Sequence, residues 1–202
     1  MATVVIDLSI SLDGFIAGPD DGKQHPLGTR GGDHIFDWYN AGGEAIHGEE
    51  LFRPVGANRE IVEEMYRESG AFIFGRRTYD ITDGWNGRHP VNGAPLVIVT
   101  HDPPKHPPKG ESSFYFTADV ADAIAKAKEL AGDKSVRIGG ASVAQQALSA
   151  GLVDEVLLHV APILLGDGVR LFANLDHTIE LELTRVVHGP GVVHQYYRVS
   201  RD

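Results

Sequence analysis

Cysteine is absent from the 202 residues, which excludes disulfides, thiolate nucleophiles and thiolate zinc sites. No apolar run approaches the roughly 18 residues of a membrane span. The opening "MATVVIDLSISLDGF" has neither a basic n-region nor a long apolar h-region, so no secretory signal is expected and a cytoplasmic location is. Positive charge is scarce as well: 18 Lys and Arg stand against 28 Asp and Glu, a net charge of -10. An acidic chain does not attract nucleic acid or an anionic membrane over long range, and neither is an expected partner. A local anion pocket stays open, because a few convergent donors outweigh a distant net charge that salt screens. No G-x-S-x-G hydrolase elbow occurs. The ten histidines are scattered, and His101 and His106 flank a pair of prolines, so no metal site is expected.

What is present reads as strand and helix in alternation. "TVVIDLSI" (3–10), "AFIFG" (71–75), "PLVIVT" (95–100), "SSFYF", "SVRIGG" and "DEVLLHVAPILLG" are short, β-branched or aromatic runs. "SLDGFIAGPDDG" is a loop by its Asp-Gly and Gly-Pro signals. A short helix is expected over 34–40 with Asp33 as N-cap, and another over "NREIVEEMYRES" with Asn58 as cap, Ile61, Val62, Met65 and Tyr66 on one face, and Gly70 as its stop. Asp119 caps a helix over 120–131 that Gly132 ends, and "ASVAQQALSAG" is a helix with Val143, Ala147 and Leu148 inward. The chain finishes in two strands joined at Gly-Pro-Gly. This order predicts one domain over 1–202, an α/β sheet covered on both faces with an antiparallel edge. The glycine-rich stretch 41–57 reads as either an ordered insertion or a mobile flap.

Ligands of such sheets bind beyond the carboxyl ends of the strands, and three exits there suit an anion. In "IFGRRTY", Gly75 permits a sharp turn, Arg76 and Arg77 supply forked donors and Thr78 is placed to cap the next helix; a solvated helix start is the competing reading. In "RIGGASVAQQ", Gly139 and Gly140 would let a pyrophosphate approach the backbone, although the dinucleotide fingerprint lacks its third glycine and, for this motif alone, a plain tight turn is the stronger reading. In "VTHD", Thr100 and His101 either border an adenosine or simply end a strand. Asp13 in "SLDG" is a turn residue or a substrate contact. Asp37 beside Trp38, and Trp85 in "DGWNG", suit a flat heterocycle or ordinary packing.

Together "SLDGFIAG", "GRRTYD" and "IGGASVAQQALSAGLVDEVLLHVAPILLGDGVRLF" resemble the dihydrofolate reductase-like family, in its bacterial branch similar to the reductase domain of the bifunctional riboflavin-biosynthesis deaminase-reductase. The resemblance covers nearly the whole chain apart from about 22–57. It implies a three-layer α/β/α fold around a mixed, mostly parallel eight-stranded sheet, with NADPH as hydride donor. By motif, Gly75, Arg76, Arg77 and Thr78 would hold phosphates, Thr100 and His101 would border the adenosine, and Gly139, Gly140, Ala141, Ser142 and Val143 would form the pyrophosphate loop. Ile16 and Ala17 would touch the nicotinamide, and Asp13 would line the substrate side. Folate reductases bind their pterin through a helix carboxylate; Asp33 and Asp37 lie near the expected place without matching its surroundings, and Ser142 stands where those enzymes often carry a cation. The expected function is therefore NADPH-dependent reduction of a small heterocycle, a pterin or a ribosylamino-pyrimidine, by a homodimer. Asp13 and Asp37 are the candidate catalytic carboxylates, with Asp13, Trp38 and Trp85 against the substrate. The alternatives are a binding protein that keeps the fold without turnover, and a flavin in place of nicotinamide.

Overall fold

A computed structural model describes residues 2–200. Eight strands form one sheet in the order β5-β4-β3-β6-β1-β7-β10-β9. They are β1 (Val4–Ser11), β3 (Ser69–Gly75), β4 (Leu96–Val99), β5 (Phe114–Thr117), β6 (Ser135–Gly139), β7 (Glu155–Ala161), β9 (Leu181–Gly189) and β10 (Val192–Val199). Pairing is parallel from β5 to β7, and β10 runs antiparallel to both of its neighbours. The remaining strands, β2 (Phe15–Ala17) and β8 (Val169–Arg170), make a small antiparallel pair of their own. The mostly parallel mixed sheet is thus the one expected. The "SLDGFIAGPDDG" loop is corrected, because Phe15–Ala17 within it form a strand whose partner, Val169–Arg170, comes more than 150 residues later.

Helices cover both faces. α3 (Val120–Ala131) and α4 (Ala141–Ser149) lie on one, α1 (Ala57–Glu68) and α2 (Arg76–Ile81) on the other. The period-2 alternation of strands builds the two cores from the same segments. In β3, Ala71 and Ile73 face α3 and α4, while Phe72 and Phe74 face the other side; in β4, Val97 opposes Leu96 and Ile98 in the same way. Ile73, Leu96 and Ile138 are fully buried, and each such aliphatic side chain contributes about 2 kcal/mol by leaving water.

Three local expectations change, and one with two alternatives resolves to the first of them. The 34–40 helix is a 3-10 helix over Gly32–Asn40; its N-cap is Gly31 in the left-handed region, and Asp33 caps nothing. Asn58 is likewise no cap: α1 begins after Gly56, and Asn58 is buried for another task described below. Gly70 does not stop α1 but lies within β3, where the end of α3 comes so close that a Cβ would stand 2.7 Å from the Ala131 backbone. The 41–57 stretch is an ordered insertion, pinned by buried Ile46 and Phe52.

Candidate cofactor groove and the polar face beneath it

The carboxyl ends of β4, β3 and β6 are neighbours, so the topology brings the three anion-friendly exits side by side. Gly139 and Gly140 have different reasons to be glycine. A Cβ on Gly139 would sit 2.2 Å from the Phe74 ring, whereas Gly140 has φ +99°, which L side chains rarely adopt. Gly140 precedes α4 with no side-chain cap, and a Cβ there would reach 3.4 Å from Thr78 Oγ1. The starts of α2 and α4 therefore adjoin, and α4 presents its first amides to the space between them.

Gly75 departs from its expected part. Its backbone is extended, φ -80° and ψ 164°, so it makes no sharp turn; a Cβ there would lie in ordinary contact, 3.6 Å from Val143. Thr78 is the third residue of α2, with Gly75 rather than Thr78 at the N-cap position. Arg76 Nε donates to both carboxylate oxygens of Asp80, at 2.8 and 2.9 Å, and its Nη1 donates to the Asp102 carbonyl. Arg77 forks onto Asp21, Nε to Oδ2 at 2.8 Å and Nη2 to Oδ1 at 2.7 Å. Thr100 is buried and accepts the Asp102 amide at 3.1 Å; His101 is exposed.

Across β6 and β1 lies the rest of the groove. A cavity of about 460 Å³ opens between the start of α4 (Ala141, Ser142), Phe15 and the 166–170 loop. Ile16 and Ala17 sit beside it on β2, with Ala17 paired to Val169. Asp13 is an anchor for this wall: it accepts Ser11 Oγ at 2.6 Å, the Leu165 amide at 3.1 Å and the Gly166 amide at 2.7 Å. Burial pulls its pKa upward, but the Ser11 hydroxyl and the two amides outweigh that and hold the carboxyl below its ordinary value. Gly166 and Arg170 belong to this wall too, and the only signal for them was the glycine pair in "LLGDGVR".

Asp37, Trp38 and Trp85 do not join the groove residues. Asp37 is exposed and pairs with His34 at 2.9 Å. Trp38 is buried, donates from Nε1 to Ser9 Oγ at 3.0 Å and stacks on Tyr39 with ring centroids 3.9 Å apart. Trp85 packs on Phe74 and His89, at 4.6 and 5.1 Å.

Trp38 covers a polar cluster that single residues in the sequence do not announce. Asp7 on β1 binds Arg137 Nη1 on β6 and, at 2.8 Å, His159 Nε2 on β7. His159 Nδ1 meets His194 Nδ1 of β10 at 2.7 Å, and His194 Nε2 meets Asn58 Oδ1 at 3.0 Å. Arg137, His159, His194 and Asn58 are all buried. Burial would raise the Asp7 carboxyl; Arg137 and then His159 outweigh it and bring it to about 2. The hydrogen bonds count the protons. Asp7 is ionised, so His159 Nε2 donates. Asn58 Nδ2 donates to the Pro190 carbonyl at 3.0 Å, which turns Oδ1 toward His194, so His194 Nε2 also donates. The Nδ1–Nδ1 contact takes a third proton. Three protons on four ring nitrogens make the pair a single cation, locked between α1, the hairpin tip at Pro190 and the centre of the sheet. Burial first, then the charge of His159, pushes His194 down to about 3.

Comparison with known proteins places this arrangement. The uncharacterized protein YyaP of Bacillus subtilis is 23% identical over 206 aligned residues, covering 96% of this chain and 93% of its own. A putative riboflavin biosynthesis protein from Shewanella superposes over all of both chains with a TM-score of 0.68 and 23% identity. Dihydrofolate reductase from Enterococcus faecalis, solved with NADP(H), superposes over 98% of this chain and 97% of its own with a TM-score of 0.59 and 12% identity. The model of the RibD C-terminal domain matches residues 2–194, and the chain belongs to that family.

Proposed function

We propose that the chain is a cytoplasmic reductase that uses NADPH to reduce a small heterocyclic substrate. The observation that carries this reading is the junction of the α2 and α4 starts. There, Gly140 leaves the backbone bare beside Thr78, the first amides of α4 have no side-chain cap, and Arg76 and Arg77 stand at the adjacent strand exit. A dinucleotide's pyrophosphate suits the first feature and its 2′-phosphate the second. The Enterococcus neighbour of the same fold was solved with NADP(H), which agrees with this reading.

In this scheme the backbone of 139–143 holds the pyrophosphate, Arg76 and Arg77 take the ribose phosphate, and Thr100 and His101 flank the adenosine. Ile16 and Ala17 border the nicotinamide. Bound NADPH supplies the hydride. The chain supplies orientation, since holding donor and acceptor carbons in line removes the entropic part of the barrier. Asp13 is not the proton donor in this scheme, because its hydrogen bonds stabilise the charged form; its part is to fix the loop at Leu165 and Gly166 against the site.

Titration with NADPH, followed by tryptophan fluorescence, tests the reading: saturation below millimolar cofactor is expected, and its absence would sink it. Arg76→Ala or Arg77→Ala should weaken NADPH more than NADH; equal losses would remove the 2′-phosphate assignment. We further infer a homodimer, with the edge strand β9 in its interface, because Leu181, Leu183 and Val186 there are 39%, 53% and 41% exposed. Leu183→Lys should convert a dimer to a monomer in sedimentation; a wild-type monomer would end that inference.

A further inference from the structure

The two arginines of the β3 exit are held in different ways. Arg76 Nε is gripped by Asp80 of its own helix, four residues on, and its Nη1 donates to the backbone carbonyl of Asp102, so its paired carboxylate is local to α2. Arg77 is gripped by Asp21, 56 residues away in the loop that follows β2. Both Asp21 oxygens and its backbone carbonyl accept from Arg77. Asp21 is enclosed, 15% exposed along its side chain, while 66% of the Arg77 side chain faces solvent. An anion approaching Arg77 thus finds the fork already filled by a carboxylate of the same charge and similar bite.

The loop that carries Asp21 has a rigid base and a detachable tip. At the base, Gly18 donates to Leu27 at 2.9 Å and Thr29 to Pro19 at 2.7 Å. The two segments of the base approach so closely that a Cβ on Gly18 would stand 2.0 Å from the Thr29 carbonyl oxygen, and one on Gly28 would stand 2.2 Å from that of Gly18. The tip turns through a Gly22–His25 bridge. Two ion pairs tie it to the α2 region, Asp21 to Arg77 and Lys23 to Asp83. The Lys23 pair lies at the surface and the Arg77 side of the other faces solvent, so an incoming anion can reach the cation of each.

We propose that Asp21 is a built-in competitor for phosphate at Arg77. A phosphate that takes the fork displaces the carboxylate and releases the 20–26 tip from α2. Asp21 therefore sets how strongly, and how selectively, the groove takes an anionic ligand. Arg76 keeps its partners on its own helix and at the β4 exit, and Arg77 is the gated cation. The inference rests on the nucleotide reading for its natural ligand, but the competition itself concerns any phosphate.

Inorganic pyrophosphate and NADPH are titrated calorimetrically into the wild type, Asp21→Asn and Arg77→Ala. In parallel, tryptic cleavage after Lys23 reports release of the tip. Asp21→Asn is expected to bind pyrophosphate about fivefold more tightly, the worth of one such exposed pair. Without ligand it should be cut after Lys23 as fast as the wild type is at saturating pyrophosphate. Arg77→Ala should be cut equally fast and bind pyrophosphate weakly. Equal or weaker pyrophosphate binding by Asp21→Asn would overturn the proposal, because Asp21 would then be orienting Arg77 for the ligand. Tighter pyrophosphate binding with no NADPH binding by any variant would uphold the competition and remove the cofactor reading instead.

Discussion

The two faces of the central sheet are made from alternate residues of the same strands, yet they follow different rules. Toward α3 and α4, β1 presents Val4, Ile6 and Ile10, β6 presents Val136 and Ile138, and β7 presents Val156 and Leu158. Toward α1 and the 3-10 helix, the same strands present Asp7, Ser9, Arg137 and His159. The first face is an apolar jigsaw that tolerates changes of shape in small steps. The second is a connected polar network whose members hydrogen-bond in series, with only Arg137 Nε left without a partner among them, so removing one leaves charges behind. Its members join α1, the hairpin tip and the Trp38 helix to one place, and so hold the 22–57 insertion against the sheet.

The sharpest way to break the contrast is Asp7→Ala. It strands Arg137 and the histidine pair as buried positive charge, and a loss of about 3–5 kcal/mol is expected in urea denaturation. A loss under 1 kcal/mol would mean that water reaches the cluster. Acid should act on the same face next. His194 and His89 are both depressed from 6.5 to about 3, chiefly by burial. The unfolded chain therefore binds more protons between those values, and stability should fall as pH drops below 6.5. Asp7, lowered from 3.8 to about 2, adds a further loss below pH 3.8. Urea midpoints at pH 7, 5.5 and 4 would check this, and a flat profile would contradict the buried neutral state of His89 and His194. The smallest effect belongs to the apolar face: Ile138→Val should cost about 1 kcal/mol and leave the pH dependence of the midpoint unchanged.

The sheet was legible from the sequence because its strands are short, apolar and separated by strong stops. Asp119 and Gly132 bound α3 as read. The parts that escaped depend on partners distant in the chain. A three-residue strand such as Phe15–Ala17 has no period of its own and exists because Val169–Arg170 pairs with it. Asn58 looked like a cap because it opens a helical pattern, but His194 and Pro190, more than 130 residues away, claim its side chain. Gly75 looked like a turn, while the glycines with a conformational or steric need are Gly140 and Gly139. In the candidate site, the three strand exits were found as motifs; the wall from Leu165 to Arg170 was not assigned to it, because it joins the site through contacts distant in the chain: Asp13, the β2–β8 pair and Gln145 of α4.

By itself the sequence determined the order of strands and helices, the anion-friendly chemistry of "GRRT" and "IGGAS", and the exclusion of thiol chemistry. Those properties are local: they follow from periodicity, from the conformational range of glycine and from which side chains exist. Only the tertiary structure decided that Arg77 is occupied by Asp21, that Asp13 is an anchor and that Asp7, Arg137, His159, His194 and Asn58 form one network. Hydrogen bonding and charge pairing act between neighbours in space, and the fold brings these neighbours together from opposite ends of the chain.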